Sequence, residues 1–382
     1  MPSFPLSCVT YFSVAVPGAT LGLLWPLIRL SWHLPLGLLG VLLIGGVLAS
    51  VLASLLTGRL LSRIGPGPVL AAGCAAAAVA LAGEAAAPSV WVFAVGMVVF
   101  GLGTGAIDAA LNAYAATRFG PRRINWMHAT YGLGATAGPL LATGLLAAGL
   151  GWRGTYAVQA ALPAAVAVLL ALTTRAWDQP AAVAPGPAVA PLPVAGNSEN
   201  VATTTSIAVA VAFAAVECGI ESGAGLWGYV YLTAGRGLSS AAAAVTVSAY
   251  WATMFAGRAV LGPVAERFGD RRVLTGGVAG LVAGAILLTV PGPAAVPVTG
   301  LVVAGLAAAP IFPLLMLTTA DQLAGADATW AVSLQVAASA GGNAALPAGL
   351  GLVIGTLTAG ALGPALLLLS LLLAGLYRWL ER

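Results

Sequence analysis

Five ionisable side chains lie inside long apolar stretches of this sequence: Asp108, His128, Glu217, Glu221 and Arg258. A charged group costs roughly 2.5 to 3.5 kcal/mol at the middle of a membrane even on lenient scales, so each is a candidate for function. Glu217 and Glu221 are four residues apart, which places them on one helix face. Because two carboxylates this close repel each other, we expect at least one to bind and release a proton near neutral pH. The alternative is that one Glu caps a broken helix or bonds a neighbouring backbone without titrating.

Asp108 and Asn112 form a second pair, one turn apart on a single helix face. We expect Asp108 to bind a proton or a substrate, and the alternative is a hydrogen bond between helices. His128 could relay protons to Asp108, although a single His near a membrane interface more often makes a local hydrogen bond. Arg258 could reach toward water or pair with a carboxylate, and we assign it to gating.

Amide and aromatic side chains in the apolar stretches are candidates for binding a polar solute. They are Asn112, Gln159, Trp227, Tyr250, Trp251, Gln335 and Asn343. Each Trp could equally anchor a helix at the membrane interface. A nucleophile with its base, a metal cluster and a cofactor loop are not recognisable, so we expect neither an enzyme nor a bound metal or cofactor.

The elements that position these residues must be membrane-spanning helices. Of 382 residues, 60% are hydrophobic and 7% are charged, and the mean hydropathy is +1.00. A soluble protein has about a quarter of its residues charged. Because lipid offers the backbone no hydrogen-bond partners, each long apolar run must be a helix. The predicted spans are 8–30, 36–57, 68–87, 90–117, 124–150, 155–175, 206–233, 240–264, 273–292, 295–319, 330–352 and 360–379.

The basic residues predict the orientation of these spans. All fifteen are Arg, and eleven of them fall on the side of the termini, three on the other side, and Arg258 within a span. The positive-inside rule then puts both termini in the cytoplasm, with the chain in the cell (inner) membrane. The net charge of +4 is therefore an orientation signal, and we expect no nucleic-acid partner. A Pro- and Ala-rich stretch, 177–202, predicts a cytoplasmic linker between six-helix bundles at 1–176 and 203–382.

The two halves also repeat each other. Residues 58–65 match 262–269, and 98–102 match 302–306, both at an offset of 204. Residues 134–139 match 342–347 at 208, as a slightly longer connection would give. Three matches in order indicate a duplicated six-helix bundle.

The second copy of the repeated motif, from Gly262 to Arg272, resembles the loop signature of the major facilitator superfamily. The first copy departs from it, with Ser62 in place of the acid. This resemblance implies an all-α membrane protein of twelve transmembrane helices in two pseudo-symmetric six-helix bundles, which rock about a midplane site. It also implies gating roles for five of the charged residues of the two loops, namely Arg63, Glu266, Arg267, Asp270 and Arg271.

Further stretches resemble the fucose-permease type of sugar:proton symporters within that superfamily. They are residues 101–112, 217–227, Tyr250-Trp251 and Gly257-Arg258. In this resemblance Asp108 falls on the fourth-span acid implicated in proton or substrate binding, and Asn112 on a polar neighbour. Fucose permease itself has an acid in its first span, and this sequence has none there.

We therefore expect a secondary transporter that couples protons to a small polar solute, such as a sugar or a related hydroxylated metabolite, by alternating access. The rival hypotheses are proton-driven efflux of a drug or secreted metabolite, and a non-transporting membrane receptor or scaffold. The expected partners are the solute, protons and membrane lipid, and we expect the chain to act as a monomer.

Overall fold

The computed structural model of the chain describes residues 3–174, 177, 198–322 and 326–381. These residues are almost entirely helical, and they contain no β-strand. The first seven helices are α1 Ser3–Gly18, α2 Leu21–Ser31, α3 Leu38–Ile64, α4 Pro66–Ala86, α5 Val90–Arg118, α6 Pro121–Ala147 and α7 Gly151–Leu172.

The second half has the same character. Its helices are α8 Ser198–Val230, α9 Ser240–Phe268, α10 Asp270–Thr289, α11 Ala295–Ala308, α12 Ile311–Gln322, α13 Ala326–Thr356 and α14 Leu362–Leu380. A π-helical segment, Tyr231–Gly235, continues α8, and a short 3-10 turn, Ala359–Ala361, precedes α14.

Ten helical stretches in the described ranges are long and apolar enough to cross a membrane. Two of them each combine two α-helices: α1 with α2 over Ser3–Ser31, and α11 with α12 over Ala295–Thr319. The helices α6 and α9 are more polar and fall outside the ten, yet they coincide with the fifth and eighth predicted spans. With them, each of the twelve predicted spans lies on a helix, and the predicted all-α membrane fold is confirmed.

The chain divides into two compact units. The first comprises Met1–Gly186 and Ser239–Ala252, and the second Pro187–Leu238 and Thr253–Arg382. In the first unit α1 packs on α6, α3 on α5, and α4 on both α5 and α7. In the second unit α8 packs on α13, and α10 on α11 and α14. Most of the predicted linker, 177–202, lies outside the described residues, so the domain bounds stay a prediction.

Paired glycines show the repeat in the backbone. Gly65 and Gly269 each precede a helix, α4 and α10, and both adopt positive φ, at 78° and 83°. This left-handed backbone is favourable for glycine, which has no Cβ. The two residues are the last glycines of the repeated motif, so both copies make the same turn.

Other glycines allow helices to touch. A Cβ on Gly101 of α5 would overlap the carbonyl group of Gly46 on α3. A Cβ on Gly138 of α6 would overlap the Val16 carbonyl of α1, and one on Gly342 of α13 the Ala215 carbonyl of α8. Small residues permit such close packing in membranes, where helix association depends on van der Waals contact.

Candidate functional site

Four polar side chains from three helices meet in the first unit, and we call them the amino-terminal cluster: Tyr11, Asp108, Asn112 and His128. Tyr11 on α1 donates its hydroxyl to Asp108 Oδ1 of α5 at 2.7 Å. Asn112 Nδ2 donates to the same oxygen at 3.1 Å and lies 3.2 Å from Tyr11 Oη. His128 Nε2, on α6, is 3.1 Å from Asn112 Oδ1. Because an amide oxygen only accepts, this contact assigns the proton of a neutral His128 to Nε2.

The cluster combines a buried hydroxyl with an accessible carboxylate. Tyr11 is buried, and its ring lies 5.3 Å from that of His128 and 6.1 Å from that of Tyr131. Asp108 is exposed, and His128 is partly exposed. Since Oδ1 of Asp108 accepts two hydrogen bonds, the carboxylate is held in one orientation while the side chain remains exposed.

Sequence reasoning found three members of this cluster and missed Tyr11. The four-residue spacing of Asp108 and Asn112 indicates that both side chains lie on one face of a helix. Tyr11 is a single tyrosine in an apolar run, with no spacing signal to mark it. The first span lacks an acid, and in the structure this span contributes the Tyr11 hydroxyl to Asp108 instead.

The second unit holds the carboxyl-terminal cluster: Glu217, Cys218 and Glu221 on α8, with Arg258 on α9. Arg258 Nη2 donates to Glu221 Oε2 at 2.9 Å. Glu217 is only 1% exposed. Its Oε2 accepts a hydrogen bond from the Cys218 thiol at 3.2 Å, and its Oε1 is buried with no hydrogen-bond partner among the described residues. One carboxylate therefore has a cation beside it, and its neighbour one turn away is buried with a thiol as its hydrogen-bond donor among the described residues.

Two of the predicted substrate residues are buried glutamines. Thr20 Oγ1, at the break between α1 and α2, donates to Gln159 Oε1 at 3.2 Å. Gln335 Nε2 donates to Thr319 Oγ1 at 2.8 Å. Within the described part of the chain, Gln159 Nε2 and Gln335 Oε1 are buried and have no hydrogen-bond partner. A buried polar atom without a partner is costly, so water or a ligand at these atoms would be stabilising.

The aromatic candidates differ in their surroundings. Trp227 is fully buried, and its indole N–H donates to the Pro347 carbonyl at 2.8 Å, which ties α8 to α13. Tyr250 is buried and packs edge-to-face on Trp251, with ring centroids 5.2 Å apart. Asn343 is exposed on α13, and Asn112 belongs to the amino-terminal cluster.

The predicted gating residues of the two repeated loops lie at helix ends, whereas Arg258 lies within α9. Arg271 in the first turn of α10 forms an ion pair with Glu381, just after α14, a partner that sequence reasoning did not single out. Arg267 lies over the Phe268 ring, 5.6 Å from its centroid. Arg63, Glu266 and Asp270 lie in the two repeated loops, at the ends of α3 and α9 and at the start of α10. A cavity of about 360 Å³ adjoins the Arg271–Glu381 pair.

Residues 6–347 match the family model of the Major Facilitator Superfamily. The match covers most of the chain, so this protein belongs to that superfamily. It is a multi-pass membrane protein and a transporter of small molecules, and the family identifies it as a transporter and not as an enzyme.

Solved structures of transporters share its fold. A variant of the nucleoside transporter NupG aligns with a TM-score of 0.76 at 13% identity, covering 99% of each chain. The Escherichia coli fucose:proton symporter FucP aligns with a TM-score of 0.65 at 17% identity, over 100% of this chain and 98% of the other. A D-xylose-proton symporter aligns at 0.71 and 13% identity, over 97% and 95%.

These alignments confirm the expected resemblance to fucose permease at the level of the fold. No curated protein sequence matches the chain.

Proposed function

We propose that this protein is a secondary active transporter that couples proton movement to the transport of a small polar solute by alternating access. The observation that carries the proposal is Glu217, a carboxyl group that is almost fully buried on a membrane-spanning helix. Such a group is costly when ionised and inexpensive when protonated. A site that is buried in one state and open to water in another would therefore bind and release a proton with each cycle.

The proposed proton-coupling residues are Asp108, His128, Glu217 and Glu221. Asp108 is accessible and is linked to His128 through Asn112, with contacts of 3.1 Å on both sides of the amide. An imidazole titrates near neutral pH, so His128 is suited to exchange protons with this cluster. The amino-terminal cluster would thus receive protons from water, and the carboxyl-terminal cluster would hold one during transport.

The proposed solute is a sugar or a related hydroxylated metabolite. Its contacts would come from Asn112, Gln159, Trp227, Tyr250, Trp251, Gln335 and Asn343. The buried Gln159 Nε2 and Gln335 Oε1 favour a solute with hydroxyl groups, because a hydroxyl can both donate and accept a hydrogen bond. The structural neighbours named for fucose, xylose and nucleosides carry hydroxylated solutes, which agrees with this choice.

The chain would lie in the cell (inner) membrane with both termini in the cytoplasm. It would act as a monomer. The domains would be bundles at 1–176 and 203–382 with a linker at 177–202. The gating residues would be those of the two repeated loops with Arg258, namely Arg63, Arg258, Glu266, Arg267, Asp270 and Arg271. Eleven Arg on the side of the termini against three opposite support the orientation.

The test begins with purified protein and a thermal-shift screen of fucose, xylose and uridine at two pH values, since a bound solute stabilises the folded state. Uptake of the labelled solute is then measured in proteoliposomes under an imposed pH gradient. The proposal predicts accumulation that a protonophore abolishes. If uptake of all three solutes is the same with and without the gradient, the proposed coupling is wrong.

A further inference from the structure

Three arginines lie opposite the chain termini in the predicted orientation, on what we call the far side, and all three bind backbone carbonyl groups. They are Arg29, Arg153 and Arg236. By contrast, the guanidinium groups of Arg59 and Arg63, near the end of α3, make no hydrogen bond within the described part of the chain. Membrane proteins disfavour Arg on the far side, and a bound role accounts for its presence there.

The second clamp, as we call Tyr231 and Arg236, joins the far end of α8 to that of α10. Arg236 directly follows the π-helical segment that continues α8. Its Nη2 donates to the carbonyls of Leu288 and Val290 at 2.5 and 2.8 Å, and its Nε donates to the Tyr231 hydroxyl at 2.7 Å. The Tyr231 hydroxyl in turn donates to the Leu288 carbonyl. Carbonyls at a helix end lack N–H partners in that helix, so a cation there is stabilising.

The first clamp, as we call Trp32, Trp152 and Arg153, joins α2, α4 and α7. Arg153, in the first turn of α7, donates through Nη1 to the carbonyls of Ala85 and Ala87 at the end of α4, at 3.0 and 2.7 Å. Its guanidinium carbon lies 4.2 Å from the ring centroid of Trp152 and 5.6 Å from that of Trp32, which directly follows α2. A guanidinium over an aromatic face is attracted to it.

The two clamps bind equivalent places with different residues. The helices α4 and α10 correspond in the repeat, and in each the bound carbonyls belong to the penultimate helical residue and to the residue after the helix. At the offset of 204, the position that matches Arg236 is Trp32, which contributes a ring and no cation to the first clamp. The contact is thus common to both halves, although the guanidinium comes from α7 in one and from the end of α8 in the other.

We propose that Arg153 and Arg236 are positioning residues that hold the far end of the first span in each half against the far end of the third. The first spans are α1 with α2, which carries Tyr11, and α8, which carries Glu217 and Glu221. Because a clamp fixes the two far ends to each other, they move as one body during transport. The inference rests on the proposed alternating access and adds which parts stay together in it.

Amide hydrogen exchange of the purified full-length protein, followed by mass spectrometry without solute, tests the second clamp. R236Q removes three hydrogen bonds from a charged donor. Exchange should become at least about tenfold faster in both 231–237 and 286–291, because local opening is confined to the segments that lose the contact. The end of α4, 84–90, should exchange as in the unmodified protein.

The first clamp should respond in the reverse way. R153Q should speed exchange in 28–34 and 84–90 and leave the end of α10 unchanged. R153K keeps the charge but lacks the planar fork of donors, so its exchange should lie between that of R153Q and that of the unmodified protein. R59Q is the control for both clamps, because Arg59 is exposed and its guanidinium has no hydrogen bond among the described residues.

Faster exchange at the carbonyl-bearing helix alone would show a cap that joins nothing, and equally faster exchange at every helix end would show general destabilisation. Either result would overturn the inference. If the glutamine variants do not fold, Y231F and S31A replace them. Y231F removes the hydroxyl that links Arg236 to α8, and S31A removes the acceptor of the Trp152 indole N–H at 2.9 Å. Each should give its clamp's pattern at smaller size, and unchanged exchange would overturn the inference. Because no solute or gradient is present, this test and the uptake assay can fail separately.

Discussion

The two polar clusters of this transporter place acids in opposite settings. Asp108 in the amino-terminal cluster is exposed and accepts hydrogen bonds from Tyr11 and Asn112. Glu217 in the carboxyl-terminal cluster is buried, and the nearby cation is engaged by Glu221. An acid reached by water exchanges protons readily, and an enclosed acid holds one until its surroundings change. Exposure and partners, more than residue type, decide what each carboxyl can do.

The two similar halves of the chain do not repeat these clusters. At the repeat offset of 204, the positions equivalent to Glu217, Glu221 and Arg258 are Ser13, Pro17 and Ser54. The position equivalent to Asp108 is Phe312. The helix packing is shared, with α1 on α6 resembling α8 on α13, while the ionisable side chains differ between the halves.

The largest expected effect is the loss of the ion pair in the carboxyl-terminal cluster. R258Q leaves the partly buried Glu221 without its cation, and the loss of a hydrogen bond to a charged group costs roughly 1.5 to 3 kcal/mol. We expect a lower thermal unfolding temperature in detergent, and partial recovery in the R258Q/E221Q double variant, which removes both charges. An unchanged unfolding temperature in R258Q would show that the pair contributes nothing to the folded state.

A comparable loss of stability is expected at the close contacts of α6 with α1 and of α13 with α8. A Cβ at Gly342 would overlap the Ala215 carbonyl, and one at Gly138 the Val16 carbonyl, so G342A and G138A should each destabilise by roughly 1 to 3 kcal/mol. G341A is the matched control, because nothing lies within 4 Å of its added Cβ. Thermal unfolding measures all three. Equal stability of G342A and G341A would contradict the close helix contact.

A smaller effect is expected in the amino-terminal cluster. Y11F removes the 2.7 Å hydrogen bond to Asp108, and one such bond is worth about 0.5 to 1.5 kcal/mol. We expect solute uptake at a fixed pH gradient to fall about two- to tenfold. Y131F is the control, since Tyr131 contacts the Tyr11 ring at its edge. If Y11F transports as well as Y131F, the Tyr11 hydroxyl does not position Asp108.

The smallest effect is expected at His128. In H128Q an amide N–H can replace the contact to Asn112 Oδ1, but the side chain no longer titrates. Maximal uptake should change less than about twofold, while the dependence of uptake on pH should flatten because the side chain no longer exchanges a proton. The initial uptake rate measured from pH 5.5 to 8 checks this. An identical pH profile in H128Q would remove His128 from the proton pathway.

Much of the fold could be predicted from the sequence, because membrane spans are marked by long apolar runs. The most polar spans, α6 and α9, still coincide with predicted helices, since Pro, Gly and Arg mark their ends. Asp108 with Asn112, and Glu217 with Glu221, were predictable because residues four apart share a helix face. Both residues of each pair lie on the same helix, so predicting the pair requires no knowledge of how helices pack on each other.

Contacts between helices explain what was missed. Tyr11 lies 97 positions from its partner Asp108, and no local pattern links the two. Glu84 is near the end of a predicted span, where water is expected, yet it is 4% exposed because it lies against Gly96 of α5. The exposure of a side chain follows from which helices pack around it, and that information is not in the spacing.

The most direct test of the contrast compares E217Q with D108N in proteoliposomes. The labelled solute is fucose, xylose or uridine, whichever stabilises the protein in the thermal-shift screen. Two rates are measured: solute uptake driven by a pH gradient, and solute exchange without a gradient. Exchange moves no net protons. The account predicts that the ratio of driven uptake to exchange falls at least tenfold in E217Q and less in D108N. An E217Q ratio equal to that of the unmodified protein would contradict the account.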